Sequence, residues 1–112
     1  LAAHGVPVAL ALTQGKPRVG NAALAAHYQA AGLRGVSFRV THWRDPVPHL
    51  PSLAQGYAHE ADEVWYNADS SRFATCGGVE EPHCSASVFV FNVTDHVTYF
   101  GADLLGAALS CG

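Results

Sequence analysis

Residues 6–13, VPVALALT, make an almost wholly apolar run. A strand with one wet face alternates apolar and polar residues, so a run without alternation predicts a strand buried on both faces, inside a parallel sheet. Pro7 has no N–H to give a ladder and confines the start of the run to an unpaired position. Residues 14–20 read as a loop, and Asn21 is suited to cap the helix that follows. The spacing predicts that helix from Ala22 to about Ala31, with Leu24, Tyr28 and Ala31 on one face and Gly32 as its stop. Gly35 then opens a second strand over residues 36–42, where Val36, Phe38 and Val40 alternate with Ser37, Arg39 and Thr41. Strand, helix, strand is the βαβ unit of a parallel sheet. A first strand buried on both faces further demands a neighbour on each side.

The second strand runs into THWRDPVPHLP, residues 41–51. The residue before a proline is pushed out of the α region, so Asp45 is held extended by Pro46, while Pro48 and Pro51 stiffen the chain after it. Asp45 therefore falls just past a strand's C-terminal end, the edge of an open α/β sheet where ligands bind. Two roles are open to it. It can bond nearby backbone as a turn aspartate, or it can orient a histidine, a task that needs a rigid carboxylate. His96, in the stretch NVTDHVTYFG, is the histidine with the best claim to be that partner. Residues 92–101 read as a short loop, and an acid followed much later by a histidine is the order of the last two triad members in α/β-hydrolases. A structural role for His96 beside Asp95 is the other reading.

Downstream, residues 63–66 and 72–75 read as an antiparallel hairpin around a turn at 67–71. His59 is placed to tie its turn to Glu63, and His49, between prolines, to bond backbone. Seven histidines raise the question of a metal, but His42, His49 and His59 have neither an i,i+4 pair nor a CxxC partner. No metal or other cofactor is expected from them. Six Lys and Arg, scattered singly in a chain of formal charge −3, exclude a surface that tracks nucleic-acid phosphates. An apolar fraction of 49% against 13% charged is high for 112 residues, and it implies either deep burial or burial against something beyond this chain. Cys76 and Cys84 flank a Gly-Gly-containing acidic loop that a short disulfide could close. Three cysteines without a CxxC fit an oxidising, extracellular setting. The odd one, Cys111, has either a partner on another polypeptide or a buried free thiol. Asn92-Val93-Thr94 is an N-glycosylation sequon, in line with secretion, and an unmodified turn asparagine fits equally.

Four blocks now carry a resemblance: TQGKPRVGNAALAAHY (residues 13–28), RVTHWRDPVPHLP (39–51), GYAHEADEVWY (56–66) and DHVTYFG (95–101). In this order they resemble the C-terminal part of the fungal class 3 lipases, the family of the Rhizomucor-type triacylglycerol lipases and the similar feruloyl esterases. The resemblance implies an α/β-hydrolase fold, a mostly parallel sheet flanked by helices, with residues 1–112 as the C-terminal segment of one such domain. It implies Asp45 as triad acid and His96 as triad base, with Asp95 matching the family pattern. Val47, Pro51, Val93 and Val97 fall where the family lines its acyl groove, and their apolar character suits fatty chains. It further implies a loop disulfide between Cys76 and Cys84, and a bridge from Cys111 back to an N-terminal region.

The departure from the family is as informative. None of the seven serines has glycine two positions away on both sides, so GxSxG is absent. The oxyanion-hole segment, the lid helix and the first strands are likewise unmatched, and residues 1–4 look like the end of the helix after the serine elbow. The expectation is a secreted ester hydrolase acting at a lipid–water interface, with an N-terminal partner segment that supplies the serine and is disulfide-linked through Cys111. This chain alone is expected not to turn over esters. Two other readings stand beside it: a feruloyl esterase of the same fold, or a non-catalytic remnant or interaction subunit.

Overall fold

The computed structural model describes residues 4–110; Cys111 lies outside them, as do Leu1, Ala2 and Ala3 of the supposed helix end. Four strands form one sheet in the order β1 (Ala11–Gln14), β2 (Ser37–His42), β3 (Glu63–Tyr66), β4 (Phe73–Cys76). The first three run parallel, with Leu12 opposite Phe38 and Arg39 opposite Glu63, and β4 returns antiparallel to β3. The hairpin therefore forms as expected, its second strand displaced by one residue to end on Cys76. Cys76 is joined to Cys84 in a disulfide.

Between β1 and β2 lies α1 (Ala22–Tyr28), capped by Asn21, whose side chain accepts the Leu24 N–H at 3.0 Å. The α geometry stops at Tyr28, earlier than the spacing predicts, and a π turn (Gln29–Leu33) carries the chain to Gly32 at φ 74°. The inward face also differs from the expected one. Ala25 is buried and the Tyr28 hydroxyl shares a hydrogen bond with Ser37, whereas Leu24 is 45% exposed. The small Ala25 lets the helix sit close, and Leu24 folds instead over Gly20.

The largest difference concerns the first strand. It pairs from Ala11 rather than from Val6, and among the described residues its only ladder partner is β2, leaving it at the sheet edge with Leu10 and Leu12 each 60% exposed. A run expected to be covered on both faces is thus covered on one. β2, by contrast, is interior on both faces. Arg39 and Thr41 are as buried as Val40, because residues 46–60 and the disulfide loop lie over their side, while His42, on the opposite face, is covered by residues 95–99. Buried charge needs partners. Glu63 accepts the Thr41 hydroxyl at 2.6 Å and the Ser85 hydroxyl, while Arg39 Nε donates to the Glu60 carbonyl at 2.8 Å. This polar layer carries the loop that leaves the C-terminal end of β2.

Candidate active site

Asp45 stands three residues beyond β2 and is 2% exposed. Its N–H turns back to the His42 carbonyl at 2.9 Å, and its Oδ1 accepts the Val47 N–H at 2.8 Å, the local bond expected of a turn aspartate. It also does what the other reading requires. His96 Nδ1 lies 3.0 Å from Oδ2 and 3.1 Å from Oδ1. A carboxylate only accepts, so the imidazole proton sits on Nδ1 and the Nε2 lone pair is free on the opposite side of the ring. The His96 side chain is 36% exposed, while that of Asp45 is 1% exposed. One member of the pair is shielded and the other reaches solvent.

His96 is held by a short helix, α2 (Thr94–Val97), rather than by the loop its neighbours suggested. Asn92 starts the turn by accepting the Thr94 N–H at 3.1 Å on its side chain, and the His96 N–H returns to the Val93 carbonyl at 3.1 Å. Two bonds zip this helix to the Asp45 loop. The Asn92 N–H donates to the Arg44 carbonyl at 2.9 Å, and Asp95 Oδ2 accepts the Arg44 N–H at 3.3 Å. Asp95 is therefore a clip, facing away from the imidazole beside it. His42, buried under α2, has Nδ1 3.0 Å from the Asp95 carbonyl and Nε2 3.1 Å from that of Ala68.

Two residues of the pair's surroundings went unassigned in the sequence. The Tyr99 hydroxyl donates to Asp45 Oδ2 at 2.6 Å. Burial, and then this bond to a carboxylate, push the phenol well above its ordinary range, so it stays a donor. Gly15 closes the other side. A Cβ there would stand 2.9 Å from His96 Nδ1 and 3.0 Å from Asp45 Oδ2, and its φ of +57° disfavours side chains as well. The only advance signal was weak in each case: a glycine right after a strand, and a tyrosine whose hydroxyl would need a partner once buried.

The proline loop is pinned carbonyl by carbonyl. His59 Nε2 donates to Pro48 at 2.7 Å, Arg18 Nη1 to His49 and to Pro51, and the Arg18 N–H to Leu50 at 2.8 Å. Glu80 holds Arg18 through both carboxylate oxygens, at 2.7 and 2.8 Å, and also accepts the His59 N–H at 2.8 Å. His59 thus reaches Pro48 and not Glu63. The His49 ring, expected on backbone, packs against Phe91 with centroids 4.6 Å apart. Of the supposed groove residues, Val47 and Pro51 lie half-buried in this pinned loop and Val97 half-buried on α2, while Val93 is 72% exposed at its start. Phe89, Val90 and Phe91, just before α2, are 86%, 65% and 48% exposed.

Residues 6–55 match the family model described as lipase (class 3). The chain is 38% identical over 92 residues to a lipase of Rhizomucor miehei, across 80% of this chain and 25% of that protein. It is 34% identical over 95 residues to secreted mono- and diacylglycerol lipase 1 of Fusarium solani, across 79% of this chain and 28% of that protein. It superimposes with a TM-score of 0.76 and 38% identity on a solved triacylglycerol lipase, described as having a serine protease triad as its catalytic centre, over 85% of this chain and 36% of that one. The chain belongs to the class 3 lipases. Its sheet is a portion of their α/β-hydrolase fold, and it spans about a quarter of the length of the curated class 3 relatives it matches. A native propeptide complex of the Rhizomucor miehei lipase matches in the same way, with a TM-score of 0.78 and 33% identity over 90% of this chain and 33% of that one.

Proposed function

We propose that this chain supplies the acid and the base of a Ser-Asp-His triad in a secreted ester hydrolase that acts on acylglycerols. The observation that carries the reading is the His96–Asp45 bond at 3.0 Å, which leaves an imidazole nitrogen with a free lone pair next to solvent. A serine from a partner segment carrying GxSxG attacks the ester carbonyl, and His96 Nε2 takes its proton. The same proton then passes to the leaving alcohol, with the acyl group now on the serine. Water, deprotonated by His96, releases the acid. Asp45 fixes the tautomer and balances the imidazolium, and Tyr99 and the Val47 N–H keep the carboxylate aimed.

The substrate class follows from the surroundings. Phe91 and Val93, exposed just before the helix that carries His96, offer an apolar surface, which suits fatty chains presented at a lipid–water interface. Secretion agrees with the disulfide and with the exposed Asn92, which would be the glycan site. Cys111 would join the partner segment.

In the complete enzyme, His96→Ala should lower kcat on long-chain acylglycerols by roughly 10⁴-fold or more, with KM little changed. A serine-reactive phosphonate should label the partner segment. Near-normal turnover in the variant would remove His96 from the mechanism. Faster hydrolysis of feruloyl esters than of acylglycerols would move the substrate class to the aromatic esters.

A further inference from the structure

Beneath the proline loop, two buried polar atoms have no partner among the described residues of the protein: Arg39 Nη1 and His59 Nδ1. Each residue is 3% exposed. Both line one small cavity of about 10 Å³, which they share with Arg18, Glu63, Glu80 and Ser85. A polar atom left unbonded in so dry a place keeps its full desolvation penalty.

Their chemistry is complementary. The Pro48 carbonyl can only accept, so the His59 proton is on Nε2, and in a neutral ring Nδ1 is an acceptor. Burial, followed by the charge of Arg39, holds that ring neutral, with its pKa lowered to about 4. Arg39 Nη1, by contrast, has only protons to offer. One orphan is a donor and the other an acceptor, in a space the size of a single solvent molecule.

We infer that one resident water molecule occupies this cavity, accepting from Arg39 Nη1 and donating to His59 Nδ1. Its second proton goes to a carboxylate oxygen of Glu63 or Glu80, giving the three bonds typical of an internal water. Chloride lacks the proton that Nδ1 needs, and a cation would meet two guanidinium groups. The water completes a strut from β2 through Arg39 and His59 to the Pro48 carbonyl, three residues past Asp45. It stands whether or not the esterase reading does.

A high-resolution crystal structure of the complete protein at room temperature tests it, together with oxygen-17 relaxation dispersion, which counts long-lived internal waters. Density for one full-occupancy water within hydrogen-bond distance of both atoms is expected. His59→Phe, which removes the acceptor, should abolish that density and lower the long-lived count by one. Nitrogen-15 spectra should show His59 Nδ1 unprotonated. An empty cavity, a proton on Nδ1, or a direct bond from Arg39 Nη1 to a side chain would overturn the inference, and these readings need only the unsubstituted protein should the variant fail to fold.

Discussion

The carboxylate of Asp45 takes hydrogen bonds from three directions, and they are not of equal consequence. His96 and the Val47 N–H approach at 3.0 and 2.8 Å, but the Tyr99 hydroxyl is closest, at 2.6 Å, and is buried. Removing it leaves the charge short of one strong donor. Tyr99→Phe should therefore cost about 1.5–3 kcal/mol in urea unfolding and lower kcat by roughly 10-fold without raising KM. Unchanged stability and kcat together would mean that the hydroxyl is dispensable. Gly15 acts by space instead. Gly15→Ala would press on His96 Nδ1 from 2.9 Å, at a left-handed φ, and a displacement near 1 Å can cost about 10²-fold. The expected result is a kcat defect of that order with a stability loss of about 1–2 kcal/mol, read by steady-state kinetics beside thermal melts. Asp45 and His96 were legible as residues because prolines and neighbouring blocks mark them. Tyr99 and Gly15 were not, since a donor or a clearance exists only once distant segments meet.

At the scale of elements, the instructive case is the proline loop. Its stiffness could be read from Pro46, Pro48 and Pro51, but prolines limit torsions without saying where the loop lies. What places it is Arg18, in the loop after β1, which reaches the carbonyls of His49 and Pro51 while Glu80 fixes its other edge. A single arginine in a glycine-containing loop reads as a solvated charge, so this anchor was invisible beforehand. Breaking a buried pair strands the other partner, and Arg18→Gln should lose about 3 kcal/mol, with part of the loss recovered in Arg18→Gln/Glu80→Gln. Chemical denaturation of the four members of that cycle measures it. A loss in the double variant equal to the sum of the two single losses would show that the two residues act apart. The α2 helix and the shortened α1 were missed for a related reason: four residues are too few for a periodic signal, and Ala25 was outranked by Leu24 in apolarity while being the better fit.

For the whole molecule, strand order was legible and strand environment was not. The apolar run that predicted a doubly covered strand was read correctly as hydrophobic, yet its cover is not among the described residues, and Leu10 and Leu12 face outward. The polar layer on β2 is where global stability meets pH. His59 falls from 6.5 to about 4, chiefly through burial and then the charge of Arg39. Burial alone would raise the Glu80 carboxyl, but the hydrogen bonds from Arg18 and the His59 N–H outweigh it and bring it from 4.5 to about 2. Both folded-state values lie below the unfolded ones, so the unfolded chain binds more protons throughout acid solution. The His59 contribution is complete above about pH 6.5 and disappears as pH falls to about 4. That of Glu80 is complete above about pH 4.5 and disappears towards pH 2. Stability should accordingly hold level above neutrality, decline by roughly 3 kcal/mol across the first window and drop further in the second. Denaturant melts at intervals from pH 8 to pH 3 would trace the profile. In His59→Gln the upper leg should flatten while the lower one persists, and a variant that kept both legs would assign the first to another group.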